Sequence, residues 1–193
     1  MVLHPKTAPA WLNKSDSIEL PKEATGSTLT IGFGWQVPYD EHSDFDLDAS
    51  AIGVKGDRVY SDEYFVFFNY QRTPDNSIVH TGDNQGTDGD QETILVNLGT
   101  LPSDLDKIIF PVSIYDADDR GQTFSQVRDA YIRIIAPGNK EIARYRFDEE
   151  ASDAPAAISG ELYRSHEKWM FRAVGQTFAS GLVGVATAFS LNI

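Results

Sequence analysis

Ten carboxylates of this chain fall into three short clusters. They are Asp44, Asp46 and Asp48; Asp83, Asp88, Asp90 and Glu92; and Asp116, Asp118 and Asp119. Two unit charges about 7 Å apart repel by roughly 2 kcal/mol at an effective dielectric near 20. Side chains packed this densely are therefore either fully solvated or gathered around a cation. In the first cluster acidic and apolar residues alternate strictly, the period of a strand. Phe45 and Leu47 then face a core, and the three aspartates share the other face in steps of about 6.6 Å. In the second, Gly82, Gly86 and Gly89 let the backbone fold tightly and offer carbonyls between the acids. Calcium takes six to eight such oxygens at about 2.3–2.6 Å. Oxygen donors without cysteine or paired histidines favour calcium or magnesium over zinc.

Three other readings of the acids are weighed. Acidic loops are commonly plain solvated surface. An EF-hand is ruled out by register: counted from Asp44, position six is Ala49 and position twelve Lys55, and counted from Asp83, position six is Asp88. An aspartyl phosphotransferase needs its D-x-D at the end of a buried parallel strand, and Tyr39-Asp40-Glu41-His42-Ser43 is no such strand.

The elements that must position these residues are mostly strands. Short β-type runs recur between turn signals, the pattern of a sandwich or barrel. Strands are predicted at 17–20, 28–35, 44–52, 64–68, 92–98, 107–115, 129–135, 141–147, 156–164, 169–175 and 189–193, with short helices around 122–128 and 178–187. Residues 1–12, with Pro5 and Pro9 and no periodicity, read as a flexible arm, and 13–193 as one domain. The expected fold is all-β: an antiparallel β-sandwich with one or two short helices, whose loops gather at the ends of the sheets.

Composition bounds the function. A net charge of −13 argues against nucleic acid or a bare anionic membrane as a direct partner. The chain has no cysteine, hence no disulfide or thiolate chemistry, which is compatible with the cytoplasm. The N-terminus lacks the apolar core of a signal peptide, and no segment approaches the roughly 20 apolar residues of a membrane span. His80, beside a Gly-Asp-Asn turn, reads as a support for that loop rather than a general base. Arg120, Arg128 and Arg133 read as counter-charges to nearby acids.

A colinear series of motifs resembles the TerD family of bacterial tellurium-resistance and stress proteins. It comprises Gly32-Phe33-Gly34-Trp35, Asp44-Phe45-Asp46-Leu47-Asp48-Ala49-Ser50, His80-Thr81-Gly82-Asp83-Asn84, Gly121-Gln122-Thr123-Phe124-Ser125-Gln126-Val127-Arg128, Gly160-Glu161-Leu162-Tyr163-Arg164 and Trp169 to Gln176. The match runs from about residue 12 to the C-terminus. The resemblance implies a non-catalytic, calcium-binding β-sandwich of the cytoplasm, acting with partner Ter proteins near the inner face of the membrane. It implies one or two calcium ions, two being the expected number. Carried over residue by residue, the implied ligands are Asp44, Asp46, Asp48, Asn69, Asp83, Asn84, Asp88, Asp90, Glu92 and Asp116. Gln91 departs from the family pattern, standing where many members have a second consecutive acid. Two rivals are a magnesium-dependent phosphoester hydrolase and a calcium-dependent, C2-like lipid binder. Direct tellurite capture is disfavoured by the absence of a thiol.

Overall fold

The computed structural model describes residues 2–3, 8–38, 45–83, 89–151 and 153–192. In chain order its elements are β1 (Val2–Leu3), β2 (Ala10–Leu12), β3 (Ser17–Glu19), α1 (Lys22–Thr25), β4 (Thr28–Gln36), β5 (Leu47–Ala49), β6 (Ala51–Lys55), β7 (Arg58–Val59) and β8 (Phe65–Val66). There follow β9 (Ile78–Asp83), β10 (Glu92–Asn97), β11 (Lys107–Ile114), α2 (Ala117–Arg120), β12 (Arg128–Ala136), β13 (Lys140–Arg146), α3 (Asp148–Ala151), β14 (Ala156–Ser165), β15 (Lys168–Phe178) and α4 (Gly181–Phe189).

These strands form two sheets. The first runs β1-β3-β15-β14-β11-β6-β7, with β5 also paired to β11 and β8 to β6. The second runs β2-β13-β12-β4-β10-β9. Pairing is antiparallel except at two edges, where β1 lies parallel to β3 and β2 parallel to β13. The second sheet thus takes in Ala10–Leu12, the last residues of the expected arm, and buries Leu12. The expected sandwich is the observed fold.

Alternation explains the faces. Leu29, Ile31 and Phe33 of β4, Ile94 and Val96 of β10, and Ile132 and Ile134 of β12 point inward and are fully buried. They meet Ile108, Phe110 and Val112 of β11, and the Phe33 and Phe110 rings touch across the sheets at 6.2 Å between centroids. A second apolar cluster lies on the outer face of the first sheet. There Ile52, Val54, Phe65, Ile109 and Ile158 pack under Val185 and Ala186 of α4. A sheet covered on both faces loses the polar alternation, which is why Ile108-Ile109-Phe110 reads as a continuous apolar run.

Several predicted elements differ from those observed. The strand expected over 44–52 is two, because Pro111 of the neighbouring β11 has no N–H for the ladder. Ser50 sits between β5 and β6 and gives its N–H to the Pro111 carbonyl at 2.9 Å, while the β11–β14 register shifts between Phe110 and Pro111. The expected helix at 122–128 is a single 3₁₀ turn, Phe124–Gln126, closed by Thr123 and Gln126 in a reciprocal capping box. The strand expected at 189–193 is absent among the described residues: α4 continues to Phe189 and ends on Ser190 in the left-handed conformation.

Candidate metal-binding edge

The acidic segments are held at one end of the sandwich by backbone hydrogen bonds. Asp48 lies opposite Ser113 in the β5–β11 ladder. Beyond Ile114, the Tyr115 N–H donates to the Asp46 carbonyl at 2.7 Å, so the first and third clusters are adjacent. Asp116 follows in the left-handed region, at φ 56°, and opens α2. Aspartate tolerates that conformation better than most residues. As the alternation predicts, Leu47 and Ala49 face the core and Asp46 and Asp48 do not. Asp48 and Asp116 line one groove of about 390 Å³, together with Phe67 and Phe68. Asn69 is exposed on the turn that Phe67 and Tyr70 close by mutual backbone hydrogen bonds.

The second cluster divides. Glu92 begins β10 facing inward, with only 3% of its surface exposed. Its Oε2 accepts the Ala49 N–H at 2.6 Å, a bond from one sheet to the other. The same oxygen lies 3.3 Å from His80 Nε2. His80 Nδ1 accepts the Gly82 N–H at 3.0 Å, so the ring proton sits on Nε2 and is donated to Glu92. His80 therefore braces the end of β9 through Gly82, a structural rather than chemical contact.

Asp90 points elsewhere, to the outer face of the second sheet. Its carboxylate takes a bidentate ion pair from Arg133, with Nε to Oδ1 at 2.8 Å and Nη2 to Oδ2 at 2.9 Å, and a Tyr131 hydroxyl donor at 2.9 Å. Arg133 also donates to Glu141 at 3.0 Å, and Glu141 accepts from Arg144, whose guanidinium lies 4.4 Å over the Tyr131 ring. Burial and the Asp90 charge push the Tyr131 hydroxyl up to about 12. Burial alone would raise Glu141, but Arg144 and Arg133 hold it below the usual carboxylate range. The Gly32-Phe33-Gly34 motif makes room for this array. With Phe33 inward, both glycines face outward; a Cβ on Gly32 would fall inside the Asp90 carboxylate, and one on Gly34 inside the Tyr131 ring. Gln91 is likewise structural, its Oε1 accepting the Trp35 N–H at 2.9 Å.

Of the expected ligands, then, the fold brings Asp48 and Asp116 to one groove, joins Asp46 to the third segment through its backbone carbonyl, leaves Asn69 exposed on the turn next to Phe68, and holds Glu92 between the sheets. Asp90 sits on the opposite outer face and is committed to Arg133. Asp44, Asn84, Asp88 and the Asp83 side chain lie outside the described residues. Among the described residues no three His, Cys, Asp or Glu side chains come together as a metal cage. The donors at the edge are all oxygen, which suits a hard cation in kind. The signal missed in the sequence is apolar: Phe68, Tyr115 and Val183, all exposed, surround the same groove. Their neighbours in sequence are so acidic or so ordinary that nothing singles them out.

Comparison with known proteins agrees with the fold and extends it. The TerD domain matches residues 10–189. Tellurium resistance protein TerD of Serratia marcescens is 42% identical over 186 residues, 94% of this chain and 97% of that protein. General stress protein 16U of Bacillus subtilis is 38% identical over 188 residues, again 94% and 97%. A crystal structure of a telluride-resistance protein homologue from Streptomyces coelicolor superposes with a TM-score of 0.67 at 23% identity, covering 84% of this chain and 95% of that one. With its motifs, its two sheets and this near full-length match, the chain belongs to the TerD family.

Proposed function

We propose that the protein is a non-catalytic stress-response module in which calcium orders the acidic edge and so presents a surface to a partner protein. The observation that carries this reading is the meeting of the acidic segments. Tyr115 N–H on the Asp46 carbonyl joins the first cluster to the third, and Glu92, accepting the Ala49 N–H, ties the start of β10 to β5, which follows Asp46. In this reading Asp46, Asp48 and Asp116 hold the ion with Asn69, Asp44 and the Asp83–Asp88 loop. The ion supplies positive charge and fixes loop shape. Glu92 and Asp90 act from behind, both fixing the chain as it enters β10, Glu92 against β5 and Asp90 against Arg133. Partners of the Ter type, at the inner face of the membrane, belong to the same proposal. It is supported by the names of the relatives, which are those of resistance and stress proteins rather than enzymes.

The test is calorimetric titration of chelator-stripped protein with calcium and then with magnesium. Asp46→Asn/Asp83→Asn should lose most of the calcium heat while its far-ultraviolet dichroism stays that of the parent. Undiminished calcium binding in that variant would sink the assignment. Preference for magnesium, with turnover of a generic phosphoester, would favour a hydrolase instead. Calcium-dependent sedimentation with anionic vesicles would favour a lipid-binding module.

A further inference from the structure

The groove at the acidic edge has a lining that ion binding leaves unexplained. It is lined by Leu182 and Val183 at the start of α4 and also by Phe68 and Tyr115. Phe68, Tyr115 and Val183 are 44%, 54% and 61% exposed, unusually wet for side chains of this size. From Phe178 to Ile193 the sequence holds no charged residue, so nothing on α4 repels an apolar visitor. The rest of the lining is the reverse, with Asp116, Asp118 and Asp119 following Tyr115 and Asp48 from β5. The nearest cation on that segment is Arg120, 5.8 Å over the Tyr115 ring and 4.0 Å from Asp116. Asp118 and Asp119 are exposed, and neither is among the expected ion ligands, so their charge persists whether or not an ion is bound.

We propose that this groove docks a basic, apolar-anchored polypeptide segment of a partner protein, seating a Leu- or Phe-like side chain between Tyr115 and Val183 with Lys or Arg over Asp118 and Asp119. It rests on the reading of the molecule as a presenting module, not on the ion. Charge decides the occupant. A second copy of this chain brings a net −13 and like charges to the rim, and an anionic membrane surface is repelled in the same way. An apolar side chain flanked by positive charge satisfies both parts of the lining at once, and the volume of the groove is that of a site for one or two side chains.

The probe is a fluorescent, end-blocked hexapeptide, Lys-Leu-Phe-Lys-Leu-Lys, with two controls: the same peptide with glutamate for lysine, and with serine for the apolar residues. Binding is read by anisotropy and by amide chemical shifts, in calcium and in chelator. The basic peptide should bind, shifting the amides of Tyr115, Leu182 and Val183, and both controls should not. Asp118→Asn/Asp119→Asn should weaken it about five-fold, the worth of two exposed ion pairs, with a reduced dependence on salt. Val183→Asp should abolish anchoring while leaving the β-sheet amide spectrum intact. Binding in both calcium and chelator supports the groove even if the ion reading fails. Calcium binding without peptide binding overturns the groove and leaves the ion reading standing. Equal binding of the glutamate peptide, shifts confined to other surfaces, a dimer dispersed by Val183→Asp, or recruitment to phosphatidylglycerol vesicles would each overturn it.

Discussion

At the scale of single residues, the least replaceable positions are ones without chemistry of their own. Gly32 lies where the Asp90 carboxylate crosses β4, and any Cβ must displace it. Because Arg133 holds Asp90 from the neighbouring strand, the carboxylate has nowhere to retreat without breaking a bidentate pair. Gly32→Ala should therefore cost about 2 kcal/mol, as overpacked sites do, visible as a lower urea midpoint at unchanged slope. A midpoint equal to the parent's would mean that Asp90 moves freely. Tyr131 gives the second residue-scale prediction. Its hydroxyl ionises near 12 in the folded chain against an ordinary 10.0. Between those values the unfolded chain has released the proton and the folded chain still holds it, so stability falls as pH rises through that window and is unaffected below it. Tyr131→Phe should flatten part of that alkaline decline in chemical denaturation at stepped pH. An unchanged slope would place the titration on Tyr64 or Tyr145, which burial also raises.

At the scale of elements, what could be read from the sequence was what alternates or runs apolar. The strands β4, β10, β11, β12, β13, β14 and β15 all show one of those patterns and fall close to their predicted spans. β9 does not show it, since the inward position after Ile78 is His80, and a polar side chain on an inner face erases the alternation. β2 is a three-residue edge that the prolines before it disguise. The candidate site was legible to the same degree. Asp46 and Asp48 stand out by spacing, whereas the divorce of Asp90 from them is a matter of which face of which sheet each strand presents. Sequence distance holds no trace of that. Helix α4, predicted around 178–187, is found at Gly181–Phe189, but its nine residues carry no charge, and which side they bury is decided by the sheet beneath. Val185, fully buried against Ile52 and Ile109, is the pin. Val185→Asp should unseat α4 and cost about 3 kcal/mol or more, the desolvation of a carboxylate with no partner. Amide exchange should then accelerate at Ile52 and Ile109 but not at Ile31 or Ile132, whose core lies between the sheets. Acceleration everywhere would mean that α4 belongs to one cooperative unit with the sandwich.

At the scale of the whole molecule, charge is the dominant fact. Sixteen basic residues face twenty-nine acidic ones, and the excess is not spread evenly. On the second sheet the acids are paired, Asp90 and Glu141 with Arg133 and Arg144, and on β14 Glu161 is paired with Arg172. The acidic edge carries Asp46, Asp48, Asp116, Asp118 and Asp119 with Arg120 near them. Self-repulsion there opposes the compact state and is screened within about 10 Å at 0.1 M salt. Monovalent salt should therefore raise the melting temperature, and an edge that holds calcium should respond far beyond screening. At matched ionic strength, calcium in hundredfold excess over its dissociation constant should add about 2.7 kcal/mol, since it binds the folded chain and not the unfolded one. Sodium chloride reproduces the screening part alone, so the difference between the two melting curves isolates the site. Asp46→Asn/Asp83→Asn should erase that difference while melting slightly higher than the parent in low salt, because two repelling charges are gone. Coincident calcium and sodium curves for the parent chain would reduce the edge to solvated acid, and the groove beside it would be left as the functional surface of the molecule.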